Sequence, residues 1–147
     1  MAPYIQLMRL DRPSGYWYFW YPHVYGTLWA AISRRSSLDE LLSVNLILLW
    51  GVLIVRGATC TWNDTVDVDF DRKVSRCRTR PLARGAISVT QANLFTAAQT
   101  LASLTTLVAL PRLCTVYAAP AVLGWFCYPL AKRITYYPQV VLGFPMA

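Results

Sequence analysis

Four apolar stretches, at residues 15–32, 41–62, 89–110 and 113–130, leave this chain few ways to fold. Each approaches the roughly 20 residues that a helix needs to cross a hydrocarbon layer about 30 Å thick. Inside lipid, every backbone N–H and C=O must find its partner within the protein, which a helix achieves within its own segment. A fifth apolar stretch, residues 138–147, is about half of a span. The expectation is all-α: a multi-helix transmembrane bundle with about four complete spans plus the start of a fifth, set in a lipid bilayer. No internal repeat, linker or low-complexity tract divides it, so residues 1–147 read as a single transmembrane domain.

Composition agrees, with 56% hydrophobic against 14% charged residues and a mean hydropathy of +0.36. The net charge of +7 does not indicate a nucleic-acid partner, because the basic residues lie between apolar runs and not on one continuous face. Cys60, Cys77, Cys114 and Cys127 form no CxxC pair and have no histidine nearby, so neither a zinc site nor a disulfide framework follows. Residues 1–12 lack the apolar core and small-residue cleavage site of a secretory signal. In a four-helix arrangement Arg9, Arg12, Arg72, Lys73, Arg76, Arg78, Arg80, Arg84, Lys132 and Arg133 share one side, against Arg34, Arg35 and Arg112 on the other. The positive-inside rule places that first side, with the N-terminus, in the cytosol.

The chemistry concentrates where the second apolar run ends, at Asn63-Asp64-Thr65-Val66-Asp67-Val68-Asp69-Phe70-Asp71. At about 100° per residue Asn63, Asp67, Asp71 and Asp64 fall within one stripe about 100° wide, and Asp69 points away. Carboxylates so close repel one another unless a cation lies among them, and hard oxygen ligands suit Mg2+ shared with substrate phosphates. Arg56, two turns earlier, lies on the same stripe. A charge at that depth calls for an interior partner, either an anionic substrate or a structural ion pair. Arg72, Lys73, Arg76, Arg78, Arg80 and Arg84 follow the acids, and arginine forks bind phosphate oxygens in bidentate fashion. Together these residues describe a polyphosphate site; the alternatives are a merely charged connecting loop and a cation pathway, which the phosphate-type arginines disfavour. In the first span Tyr16, Trp17, Tyr18, Phe19, Trp20, Tyr21 and Tyr25 cover every helix face, so most of these rings are expected to face lipid, and His23 has no matching acid at helical spacing.

The pattern Asn63-Asp64-x-x-Asp67-x-x-x-Asp71, then Arg72 and Arg78-Thr79-Arg80-Pro81-Leu82-Ala83-Arg84-Gly85, closely resembles the first Asp-rich signature of the UbiA superfamily of membrane prenyltransferases. The resemblance extends to Arg9-Leu10-Asp11-Arg12-Pro13-Ser14-Gly15, to Arg56-Gly57-Ala58-Thr59-Cys60, and to Tyr128-Pro129-Leu130-Ala131-Lys132-Arg133-Ile134-Thr135 with Pro138-Gln139. It implies Mg2+-dependent transfer of a prenyl group from an isoprenoid diphosphate, farnesyl-like, to an aromatic or polyketide-derived acceptor. Carried over by position, Asn63, Asp64, Asp67 and Asp71 hold the metal and diphosphate. Arg72, Arg78, Arg80, Lys132 and Arg133 become diphosphate contacts, and Arg12 meets an acceptor carboxylate or carbonyl. The Trp62 start of the motif and the Arg76-to-Arg80 run look most like the fungal branch that builds meroterpenoids; the alternatives are a 4-hydroxybenzoate polyprenyltransferase of ubiquinone biosynthesis and a non-catalytic membrane protein derived from the family.

Family members carry about twice as many spans and a second Asp-rich motif. Here no Asp or Glu follows Asp71, although nine Lys or Arg do. The expectation is therefore a C-terminally truncated, incomplete UbiA-type fold, inactive or weak on its own. Residues 1–12 are too short for an Arg- and Ser-rich mitochondrial presequence, which points to an endomembrane in preference to the mitochondrial inner membrane.

Overall fold

A computed structural model describes residues 2–143, and every regular element among them is helical. A short α1 (Ala2–Met8) precedes α2 (Ser14–Arg34), α3 (Leu38–Val66) and α4 (Val68–Asp71). A 3-10 turn at Ser75–Cys77 then leads to α5 (Val89–Ala109), α6 (Arg112–Ala131) and α7 (Pro138–Gly143). The four expected spans thus correspond to α2, α3, α5 and α6, with ends moved by a few residues. Of the four, α3 and α6 are both long and apolar enough to cross a membrane. The fifth stretch forms α7 as far as Gly143, and its last residues, 144–147, lie outside the described part.

Helix ends follow local chemistry. Ser37 caps α3 by accepting the Glu40 N–H at 3.2 Å, with Asp39 and Glu40 in the first turn, where negative charge complements the helix dipole. Ser88 and Gln91 form a reciprocal capping box that starts α5. Arg35 ends α2 in the left-handed conformation.

The 29 residues of α3 rise about 43 Å, more than the roughly 30 Å of one hydrocarbon layer. One face of α3 packs on α5 through small residues. A Cβ on Gly51 would lie 2.8 Å from Thr106 Cγ2, and one on Gly57 would collide with the Gln99 amide. Ala58, Thr61 and Thr65 continue this seam opposite Ala92, Thr96 and Gln99, all buried. Thr61 and Thr65 donate their hydroxyls to the carbonyls of Gly57 and Thr61 at 2.9 and 2.8 Å, which removes the polar cost of so close an approach.

At the acidic end, Leu7, Val68, Leu82, Ile87 and Ala92 form a buried cluster backed by Tyr4 and Phe95. It ties α1 and the 82–87 segment to α4 and the start of α5. That cluster is what brings Arg9 and Arg80 to the end of α3.

Candidate functional site

The cavity-lining face of α3 lies opposite its α5 seam. Val52, Val55, Arg56, Thr59, Cys60 and Asn63 recur at i, i+3, i+4, i+7, i+8 and i+11, one helical stripe rising about 16 Å. With Phe19 and His23 of α2, Trp125 and Tyr128 of α6, and Arg9, Arg80, Lys132 and Leu142, they enclose a cavity of about 420 Å³. Its two ends differ chemically. Arg9, Asn63, Arg80 and Lys132 make the mouth, whereas Phe19, Val52, Val55 and Trp125 wall the inner part.

The stripe of acids is interrupted. At Asp67 the backbone leaves the helix (φ −90°, ψ 4°), and α4 restarts at Val68. The single stripe expected from an unbroken helix becomes two pairs. Arg80 Nη1 donates to Asp71 Oδ2 at 2.7 Å and to Asp64 Oδ1 at 3.1 Å, joining the first pair. Lys132 Nζ donates to Asp67 Oδ2 at 2.6 Å and to Asn63 Oδ1 at 2.7 Å, joining the second. Asp64 is almost wholly buried, at 2% exposure, and also accepts Arg9 Nη2 at 3.0 Å. Burial disfavours the Arg80 cation, but Asp64 and Asp71 outweigh that and hold its pKa above the ordinary arginine value. Arg80 is therefore charged at every working pH. Asp69 is exposed, as its phase demands, and meets only Arg72 at 3.5 Å.

Among the described residues no group of three His, Cys, Asp or Glu is clustered as a ready-made metal cage. The donors are all carboxylate or amide oxygens, and Asp64, Asp67 and Asp71 each commit one oxygen to a cation of the protein. Such a set fits a hard divalent cation that takes one or two carboxylates here and its other ligands from phosphate and water. It does not fit a closed structural metal site.

Several expected contacts lie elsewhere. Arg12 is exposed and pairs only with its neighbour Asp11 at 3.9 Å, because α1 and the turn before α2 direct Arg9 inward in its place. Arg72 and Arg78 are exposed, and Arg78 Nε donates to the Arg72 carbonyl. Arg133 donates to the Val66 carbonyl at 2.8 Å and lies over the Phe70 ring. It caps the end of α3, where a cation complements the dipole. Arg9 is the contributor that pattern reading passed over. It lies within the Arg9-to-Gly15 motif, but its inward aim depends on a positive φ of 58° that spacing does not reveal.

Arg56 reaches the cavity as its phase predicts, with a different partner. Among the described residues it makes no ion pair. Its guanidinium lies 4.9 Å from the Tyr16 ring centroid and 5.5 Å from that of Phe19, and its Nε is buried without an acceptor. Of the two partners considered for it, a structural ion pair is not found among the described residues, and the half-buried guanidinium lines the cavity. Of the aromatics of α2, Tyr16 is buried and Phe19 lines the cavity, while Tyr18, Tyr21 and Tyr25 are exposed. His23 lines the cavity too, and all four cysteines are free thiols.

The bundle is all-helical, with acids and cations at one end of the cavity and Phe19, Val52, Val55 and Trp125, together with Arg56 and His23, along the rest. The chain belongs to the UbiA prenyltransferase family, whose model matches residues 19–147. It is 42% identical over 146 residues to the prenyltransferase ascA of Acremonium egyptiacum, covering 99% of this chain and 44% of that protein. It is 39% identical to the DMOA farnesyltransferase nvfB of Aspergillus novofumigatus, covering 97% and 46%. It is also 39% identical to the mitochondrial 4-hydroxybenzoate polyprenyltransferase of Saccharomyces cerevisiae, covering 96% and 38%. The chain thus spans less than half the length of these relatives. No solved structure matches it.

Proposed function

We propose that this chain forms the diphosphate-binding part of a multi-pass membrane prenyltransferase with four spans, α2, α3, α5 and α6. It transfers a prenyl group, farnesyl-like, from an isoprenoid diphosphate to an aromatic or polyketide-derived acceptor in meroterpenoid biosynthesis. The observation that carries this reading is the graded cavity, with Lys132, Arg80 and Arg9 at one end and Phe19, Val52, Val55 and Trp125 at the other. A diphosphate head and a hydrocarbon tail match that gradient. Relatives whose names specify a farnesyltransferase or a prenyltransferase support the substrate class.

Lys132 and the arginine forks of Arg80 and Arg9 would turn from the carboxylates to the diphosphate oxygens, shorter and stronger contacts for a doubly charged group. Mg2+ would be held by Asp64, Asp67 and Asp71 with Asn63 beside them, and when bound it neutralises diphosphate charge. Breaking the bond between C1 and the diphosphate oxygen leaves an allylic cation. The ring of Tyr128, 4.8 Å from Lys132 Nζ at the diphosphate end, would help to stabilise it, and the apolar residues beyond would limit its capture by water. An electron-rich carbon of the acceptor ring then forms the new C–C bond and loses its proton.

The test supplies labelled farnesyl diphosphate, Mg2+ and an aromatic acid to membranes containing the protein. Label should move to the acceptor, and the transfer should vanish in Asp64→Ala and Asp67→Ala. Transfer indifferent to both substitutions and to Mg2+ removal would overturn the reading.

A further inference from the structure

Lys132 stands at the end of a helix that does little to fix its direction. Of the 20 residues of α6 only Pro129 is buried. Having no N–H, Pro129 leaves the Trp125 carbonyl without its helical donor, so the last turn lacks a bond that would hold it in line. Among the described residues, hydrogen bonds tie this part of the chain to the end of α3 at three points. Beyond the proline, Lys132 reaches Asn63 and Asp67, and Arg133 reaches the Val66 carbonyl. Before it, Trp62 Nε1 donates to the Phe126 carbonyl at 3.0 Å, and the two rings lie 6.3 Å apart. Trp62 and Val66 are one turn apart on α3, so all three ties use the same stretch of that helix. A tryptophan at a membrane boundary commonly sits in the headgroup layer with its N–H turned to water. Trp62 is instead partly buried, and its N–H is committed to a protein carbonyl.

We propose that Trp62 is a positioning residue. By holding the Phe126 carbonyl it sets the height of α6 on α3 at which Lys132 meets Asn63 and Asp67, and so the approach of Lys132 to the diphosphate. The step to the diphosphate rests on reading the cavity as a prenyl-transfer site; the placement of Lys132 does not.

The chain has two lysines, Lys73 and Lys132, which makes that placement measurable. Lys73 is exposed, whereas Lys132 is clasped. Limited acetylation of the protein in lipid nanodiscs, read by mass spectrometry of its peptides, gives the ratio of Lys132 to Lys73 modification. Trp62→Phe keeps a ring and removes the N–H, and should raise that ratio about threefold to tenfold, as one lost hydrogen bond allows. Trp50→Phe loses a comparable bond, to Thr105 of α5, and should leave the ratio within about twofold. Binding of farnesyl diphosphate with Mg2+ should weaken in Trp62→Phe by a similar factor while farnesol binding stays the same. In a Lys132→Ala background Trp62→Phe should cost no more than about twofold, whereas its effect should multiply with that of Arg9→Ala. An unchanged acetylation ratio, or the same loss from Trp62→Phe with and without Lys132, would overturn the assignment. A raised ratio in a protein that binds the diphosphate no better than farnesol would support the placement and overturn the prenyl-transfer reading.

Discussion

The two long faces of α3 show opposite ways of using the same helix. Toward α5, Gly51, Gly57, Ala58 and Thr61 let two backbones meet closely; the Thr61 hydroxyl is bonded to the Gly57 carbonyl and to Gln99 Oε1, while Thr106 Oγ1 and Gln99 Nε2 stay buried without a partner. Toward α2 and α6, Val52, Arg56, Cys60 and Asn63 stand back from their partners and leave about 420 Å³ of space. The first face holds the helix in place; the second is the one proposed to hold a ligand. Substitutions on the seam should therefore act on stability, and those on the cavity face and its mouth on binding.

Asp64→Ala should have the largest effect because it touches both. Removing the carboxylate that Arg9 and Arg80 share leaves Arg9 without a partner and Arg80 with Asp71 alone, a loss of up to about 3 kcal/mol, the low end for breaking a buried pair. It should also weaken farnesyl diphosphate binding by about a hundredfold, the value of two charge-assisted contacts. Thermal unfolding and titration of the ligand would read the two losses together. Lys132→Ala comes next, with binding expected to weaken by about tenfold and unfolding shifted less, since its partners Asn63 and Asp67 are nearer to water. If Lys132→Ala lowered stability but left binding intact, the mouth would be a structural clasp, and the contrast between the faces would fail there.

Gly51→Ala sharpens the contrast from the other side. Its new methyl meets Thr106 at 2.8 Å, so overpacking should cost about 1–3 kcal/mol, visible as a lower unfolding temperature. Binding by the folded fraction should not change. The smallest effects are expected for Arg12→Ala, Arg72→Ala and Arg78→Ala, each within about 0.5 kcal/mol and twofold in binding. A large loss from any of them would mean that the exposed arginines join the site when substrate arrives.

Much of the fold was legible because apolar length and capping chemistry act locally. Residues 89–110, for example, differ from the observed α5 by one residue, with Ser88 and Gln91 marking its start. The membership of Asp64, Asp67, Asp71, Arg80 and Lys132 in one mouth was legible from motif and phase. The pairing was not. Phase sets Asn63 beside Asp67 and Asp71 beside Asp64 but says nothing of which distant cation meets each pair; Lys132 at the end of α6 meets the first and Arg80, after α4, the second. The exchange of Arg12 for Arg9 depends on the buried cluster around Leu7 and on a left-handed residue, both tertiary facts. Arg133 was a diphosphate candidate by its place in the motif after Lys132, and here it donates to the Val66 carbonyl at the end of α3.

The most direct measurement compares the binding of farnesyl diphosphate and farnesol to the protein in nanodiscs, with and without Mg2+. The account predicts Mg2+-dependent binding of the diphosphate, at least about tenfold tighter than farnesol, and loss of that advantage in Asp67→Asn and Lys132→Ala. Equal binding of diphosphate and alcohol, unaffected by Mg2+ and by both substitutions, would contradict it.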